Sequence, residues 1–224
     1  MQANGQLLGG RSAAVRLGFG LWAVVIAVFV IIAIPTLRDL AEPIDAWFWD
    51  LAVETEWQPA VFVAKALRII GSAWVMVPIE IGVGAWLITR RRWHILVFWA
   101  AAIGLTEATV WISKAIYQEP RPPDALVSTT GYSFPSGHSA TAGVVSIALV
   151  LVFAPIARNR WHWFVAAAAW TIAMMAGRVY LRAHWLTDVI AGAALGAAVA
   201  LSVALLVDRR TSRGGDRQNG PADE

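Results

Sequence analysis

An all-α integral membrane protein with six transmembrane helices is the fold class this sequence predicts, and three observations carry it. Hydrophobic residues make up 58% of the 224-residue chain and charged residues only 15%, with a mean hydropathy of +0.59, a balance that belongs to membrane proteins rather than soluble domains. Apolar runs of about 18 residues or more recur along the chain, the length a helix needs to cross roughly 30 Å of hydrocarbon. Basic residues gather at the ends of these runs, and many of the 13 Trp lie there too, Trp93, Trp161 and Trp185 among them. An amphipathic ring suits the headgroup layer.

Composition also excludes function classes. A formal charge of +3 would point to nucleic acid in a soluble protein, but here the arginines mark membrane topology and no nucleic-acid partner is expected. The absence of cysteine removes disulfides, thiolate nucleophiles and Cys-ligated metals.

Residues 1–16 are polar and Gly-rich and precede an apolar run over 17–37, too long for the core of a cleaved signal and read as a retained anchor helix. Residues 38–58 mix six carboxylates with aromatic residues and suit an amphipathic stretch lying on the membrane surface. The apolar pattern from Pro59 to Ile70 is broken by Lys65 and Arg68. Gly71-Ser72 punctuates it, and the second span runs from there to Thr89, closed by Arg90-Arg91-Arg92. The third span runs from Trp93 into Lys114, the fourth over 139–156, the fifth over 163–181 and the sixth over 186–207. The membrane domain is thus 17–207, and the composition of 208–224 predicts a disordered tail.

Eleven of the 18 basic residues collect on one face, from Arg11 and Arg16 through the Arg90 triplet, Arg158 and Arg160 to Arg209, Arg210, Arg213 and Arg217. That face is expected to be cytoplasmic. Six spans then place both termini in the cytoplasm, in a multi-pass protein of the cell membrane.

Three polar clusters interrupt the apolar pattern, and this topology brings all of them to the extracytoplasmic edge. The first is Lys114 and, after six residues, Arg121-Pro122; the second is Pro135-Ser136-Gly137-His138; the third is Arg178, His184 and Asp188, separated by five and three residues. Taken singly, each cation could snorkel into headgroups. Taken together, Lys114, Arg121 and Arg178 call for an anion, and a phosphate ester matches the Arg fork and the Lys point charge. Ser136 is placed to cap the fourth span and Gly137 to let backbone approach a ligand, which makes a helix N-terminus suited to phosphate. His138 at the mouth of that span could donate a proton. His184 and Asp188 share a helical face, so the carboxylate can hold one ring nitrogen and leave the other as an oriented nucleophile. A metal set of His138, His184 and Asp188 is the alternative, opposed by the three converging cations, and no metal or cofactor is expected. Glu80 and Glu107 lie inside spans and are read as structural, protonated or hydrogen-bonded between helices.

The order and spacing of the three clusters resemble the signature motifs of the type 2 phosphatidic acid phosphatase superfamily, membrane lipid phosphatases that share their active site with vanadium haloperoxidases. The resemblance covers Lys114 to Asp188 in motifs and 17–207 in layout. It implies that His184 attacks phosphorus to form a phosphohistidine, that Asp188 orients it and that His138 protonates the leaving group. Lys114, Arg121, Ser136, Gly137 and Arg178 would hold the phosphoryl oxygens, without metal. Gly177 departs from a frequent Ser, and Glu119 from a frequent basic residue, which would lower the positive potential at the mouth. The implied substrate is a phosphorylated lipid, first a polyprenyl diphosphate such as undecaprenyl diphosphate, second phosphatidic acid or phosphatidylglycerol phosphate. A vanadium-dependent haloperoxidase and a non-catalytic lipid-phosphate binder or transporter are the rivals from other classes.

Overall fold

The structure, a computed structural model, describes residues 7–8, 11–154 and 160–218, with the side chains of 210–218 outside that description. Arg158 and residues 219–224, on which parts of the topology and tail expectations fall, lie outside the described residues.

Among the described residues eight helices follow one another, and their ends are set by recognisable residues. Proline has no N–H to donate and clashes with the preceding turn, so α1 (Arg11–Ala33) stops before Pro35, which instead opens α2 (Pro35–Glu54). The run expected over 17–37 is therefore divided between two helices, and α2 is the amphipathic stretch foreseen after it. Gly71 and Ser72 separate α3 (Gln58–Ile70) from α4 (Ala73–Thr89), which meet at a 42° bend. Then come α5 (Trp93–Tyr117), α6 (Gly137–Phe153), α7 (Arg160–Tyr180) and α8 (Leu186–Gln218). α5 ends where Gln118 turns into the left-handed region at φ 46°. Pro120, Pro122 and Pro123 keep the chain from resuming a helix there.

Residues 208–218, part of the segment whose composition predicts a disordered tail, continue α8 as helix; extending an anchored helix needs no new nucleus, and no proline lies between Leu186 and Pro221. Among the described residues, four helices, α1, α5, α7 and α8, are each long and apolar enough to cross a membrane. The bent α3 and α4 pair makes a fifth, and α6 is an apolar helix of 17 residues.

α8 is the central helix: 72% of its apolar window is buried, against 17% for that of α1. Small residues put it there. A Cβ added at Gly192 or Gly196 would run into the carbonyls of Ser136 and Ala140, and one at Gly143 would lie 2.6 Å from the Ala193 carbonyl. The backbones of α6 and α8 are therefore in direct contact, the association that small residues allow between membrane helices. The contact fixes the N-terminus of α6 against that of α8, and the Ser136 N–H donates to the Asp188 carbonyl at 3.0 Å. Two of the three polar clusters are brought together by it.

At the other end of the bundle, Arg160 closes α6. Its guanidinium donates to the carbonyls of Val150 and Leu151 at 3.1 and 3.2 Å and to Leu7 at 2.7 Å. Val150 and Leu151 lie in the last turn of α6, where carbonyls run short of helical partners, and the Val150 carbonyl is shared with the Ala154 N–H at 3.0 Å. Asp208 accepts the N–H groups of Leu7 and Leu8 at 2.8 and 3.0 Å, which ties the N-terminal segment to α8.

Candidate active site

The loop between α5 and α6 is folded around two cations. Lys114 Nζ donates to the carbonyls of Tyr132 and Ser133 at 2.6 and 3.0 Å. Arg121 donates to Gly131 through Nε at 2.9 Å and to Thr130 and Tyr132 through Nη2 at 3.0 and 3.2 Å. Four successive carbonyls thus face the two side chains, a turn that Gly131 permits at φ +66°. The remaining nitrogen, Nη1 of Arg121, donates to the Ala183 carbonyl at 2.7 Å and lies 3.2 Å from Nε2 of His184. Burial holds the Arg121 pKa below its ordinary value, with the Asp188 charge acting against that shift.

His184 and Asp188 form the pair anticipated from their spacing. His184 is in the turn before α8 and is 4% exposed, Asp188 is in the first helical turn and fully buried, and Nδ1 stands 3.1 Å from Oδ2. The same Oδ2 accepts the Trp185 N–H at 2.9 Å and the Ser133 hydroxyl, and Ser133 Oγ is 3.4 Å from His184 Nδ1. A carboxylate at Nδ1 fixes the proton on that nitrogen and leaves the lone pair on Nε2. Burial, then the charges of Arg178, Arg121 and Lys114, hold His184 well below the ordinary imidazole range, so it is neutral near pH 7.

Arg178 comes from the end of α7 and His138 from the first turn of α6, within electrostatic reach of each other and of His184. Arg178 is 4% exposed, yet its Nε and Nη1 have no hydrogen-bond partner, nor has the buried Nε2 atom of the half-buried His138. Such groups are costly to bury unpaired. A guanidinium with two free donors beside an imidazole with a free nitrogen suits an anion carrying several acceptor oxygens. Ser136 occupies the N-cap position of α6 but makes no side-chain cap bond; its hydroxyl instead accepts from Ser139 Oγ at 3.1 Å. At Gly137 the nearest atom to an added Cβ is Val110 Cγ1 at 3.9 Å, so the protein itself does not fill the space. Every residue singled out from the three clusters thus converges on one site.

Sequence reasoning missed the residues that hold this arrangement. Ser133 bridges the loop to the pair, and its only sequence signal is proximity to the Pro135 cluster. Asp45 of α2 caps α8 by accepting the Thr187 N–H and hydroxyl at 2.9 and 2.7 Å, and burial raises its pKa. Arg182 pairs with Glu56 at 2.9 Å, and Tyr180 donates to the Thr55 carbonyl at 2.7 Å. The 38–70 region therefore braces the turn that carries His184.

Both departures from the motif pattern have structural accounts. Glu119 does not lower the potential at an open mouth: it is 3% exposed and paired with Arg38 at 3.1 Å. Gly177 lies where α3 crosses α7, with Leu67 Cδ1 only 3.4 Å from an added Cβ. Glu107 accepts from Thr141 at 2.8 Å, an interhelical bond of the kind anticipated.

The family profile of the PAP2 superfamily matches residues 93–212. The chain is 28% identical to phosphatidylglycerophosphatase B of Bacillus subtilis (strain 168) over 137 residues, 57% of this chain and 65% of the relative. It is 43% identical to lipid A 1-phosphatase of Rhizobium johnstonii over 77 residues, 34% of this chain and 29% of the relative. Both alignments span less than two thirds of those relatives. Among solved structures, a transmembrane PAP2 type phosphatidylglycerolphosphate phosphatase from Bacillus subtilis superposes with a TM-score of 0.68 at 23% identity, covering 92% of this chain and 98% of the other. LpxE of Aquifex aeolicus follows with a TM-score of 0.56 at 20% identity, covering 69% and 91%.

Proposed function

We propose that this chain, which belongs to the PAP2 superfamily and is a multi-pass membrane protein, is a lipid phosphatase working through a phosphohistidine at His184. The observation that carries this reading is the pairing of a neutral, Asp188-oriented His184 with the buried, unpartnered guanidinium of Arg178.

In the proposed reaction a phosphoryl group seats among Arg178, Arg121 and Lys114, whose charges offset its own and do the work a metal ion does elsewhere. The α6 N-terminus at Ser136 and Gly137 adds free N–H groups. His184 Nε2 attacks phosphorus while the bond to the lipid oxygen breaks, and His138 gives that oxygen its proton. Asp188 and Ser133 stabilise the imidazolium through Nδ1. Water then attacks the phosphorus, His138 takes its proton, and the P–N bond breaks to release phosphate and neutral His184. Lys114 and Arg121 now bonded to loop carbonyls can exchange them for phosphoryl oxygens.

In the proposed layout α6 and the bent α3 and α4 pair cross together with α1, α5, α7 and α8. This gives six spans, cytoplasmic termini and an extracytoplasmic site. The favoured substrate is a polyprenyl diphosphate, with phosphatidic acid or phosphatidylglycerol phosphate second; the names of the relatives support the lipid class. The test is phosphate release by detergent-purified protein in excess EDTA, beside His184→Ala. Turnover that survives chelation and vanishes in the variant supports the reading, and no release from folded protein on any of these lipids overturns it.

A further inference from the structure

Three further arginines stand near the site, and two of them are matched by carboxylates. Arg38 pairs with Glu119 at 3.1 Å and Arg182 with Glu56 at 2.9 Å. Arg68, in the last turn of α3, has no ion pair among the described residues. Its guanidinium makes one long hydrogen bond, from Nη2 to the Ser128 carbonyl at 3.4 Å.

The place of Arg68 is fixed at both ends of the residue. The His138 ring is hydrogen-bonded to the Arg68 backbone, and Nε2 is the ring nitrogen left without a partner. Three residues on, an added Cβ at Gly71 would lie 3.3 Å from His138 Cδ2, so the end of α3 is seated against this ring. At its tip the side chain reaches the loop between α5 and α6, two residues before the carbonyls that face Lys114 and Arg121. Arg68 is half-buried, and its charge is within electrostatic reach of both His138 and Arg178.

In the proposed reaction His138 serves the oxygen that leaves phosphorus, so Arg68 lies on the leaving-group side. Lys114, Arg121 and Arg178, with Asp188 among them, already come close to balancing one phosphomonoester of about −1.5 to −2 charge. A further cation beside them with no carboxylate of its own adds repulsion to the cluster. A leaving group that itself bears a phosphate offsets that repulsion and suits the planar Arg fork.

We propose that Arg68 forms a subsite for a second phosphate, carried by the leaving group, and so sets the preference for substrates with two phosphates over those with one. This rests on the phosphatase reading and deepens it by naming the residue that makes the choice. The second phosphate is either the one bonded directly to the scissile group in a lipid diphosphate or the phosphodiester across the glycerol of phosphatidylglycerol phosphate. In both, the bond from phosphorus to the leaving oxygen breaks as the His184 Nε2 bond forms, and that oxygen keeps the electron pair and takes the His138 proton.

The test uses two matched pairs in mixed micelles, farnesyl diphosphate against farnesyl monophosphate, and phosphatidylglycerol phosphate against phosphatidic acid with the same acyl chains. Wild type, Arg68→Ala and Lys65→Ala are compared by the ratio of kcat/KM within each pair. Lys65 is exposed and one turn earlier on α3, so its variant removes an equal charge nearby. Arg68→Ala is expected to lower the ratio about tenfold. A fall in the farnesyl pair alone identifies the directly bonded phosphate, a fall in the glycerolipid pair alone the phosphodiester, and a fall in both a subsite that takes either. Lys65→Ala is expected to keep both ratios within about twofold. Unchanged ratios in Arg68→Ala overturn the proposal, and with a lowered Tm they leave Arg68 as a cation at a helix end only. An equal fall in Lys65→Ala overturns it as well, because the effect then belongs to the general field. Phosphate release from the two monophosphates by wild type shows whether the phosphatase reading stands when the subsite fails. Calorimetry gives a readout without turnover: wild type is expected to bind methylenediphosphonate about tenfold more tightly than inorganic phosphate. Arg68→Ala is expected to erase that difference, and a difference that persists overturns the subsite.

Discussion

Replacing Ser133 by Ala removes one hydroxyl and little else. The side chain is fully buried, and its Oγ donates to Asp188 Oδ2 and lies 3.4 Å from His184 Nδ1. The backbone of residue 133 keeps its own bonds in the variant, the N–H to the Glu119 carbonyl at 2.8 Å and the carbonyl to Lys114 at 3.0 Å. The loop and its lysine therefore stay in place. A hydrogen bond to a charged acceptor contributes about 1.5–3 kcal/mol. Asp188 retains the Trp185 N–H at 2.9 Å and His184 at 3.1 Å, so the pair survives with less restraint. The hydroxyl touches the oriented pair and not the phosphoryl group, so its loss falls on the transition state. The expected fall in kcat is about ten- to hundredfold, with KM within about twofold. Steady-state phosphate release across substrate concentrations measures both. A variant with wild-type kcat, or one whose loss lies in KM alone, would refute the idea that Ser133 positions the pair.

The other predictions concern separate parts of the structure. Arg178→Lys keeps a cation but loses the planar fork whose Nε and Nη1 are free; kcat/KM should fall about a hundredfold and vanadate inhibition weaken in parallel, and unchanged inhibition would count against Arg178 as a phosphoryl ligand. Gly196→Ala forces α8 away from the Ala140 carbonyl; it should destabilise the detergent-solubilised protein by about 1–3 kcal/mol, read as a lower Tm, and an unchanged Tm contradicts direct backbone contact. Glu119 is pushed up to about 7, mainly by burial and next by the Asp188 charge. Its folded form thus binds a proton more tightly than its unfolded form, and the stability this supplies is full below about 4.5 and lost as pH rises through 7. Wild-type Tm should decline between pH 5 and 8 relative to Glu119→Gln, and parallel profiles would contradict the assignment.

The site was legible in the sequence to the extent that it interrupts a bilayer pattern. Charged and polar residues at Lys114, Arg121, His138, Arg178, His184 and Asp188 stand out because their neighbours are apolar, and span parity places them at one level. Ser133 carries no such contrast, since it lies in a loop already rich in Ser, Thr and Gly. Asp45 was equally hidden. It caps α8 from 142 residues away in sequence, and nothing in an acidic amphipathic stretch distinguishes the one carboxylate that turns inward. Glu119 was read for its charge alone, because its partner Arg38 sits on α2, 81 residues away in sequence. Helix boundaries failed where one residue decides them, as at Pro35, and the α6 and α8 contact emerged only when Gly143, Gly192 and Gly196 could be seen facing opposing carbonyls.

The central claim is that His184 Nε2 takes the phosphoryl group, and trapping that bond tests it most directly. Rapid acid-free quenching of the protein during turnover of a ³²P-labelled lipid phosphate, followed by peptide mapping, should place an alkali-stable, acid-labile phosphate on His184 at near-stoichiometric burst amplitude. The label should be absent in His184→Ala. A burst of product with no labelled protein, or label on any other residue, contradicts the account.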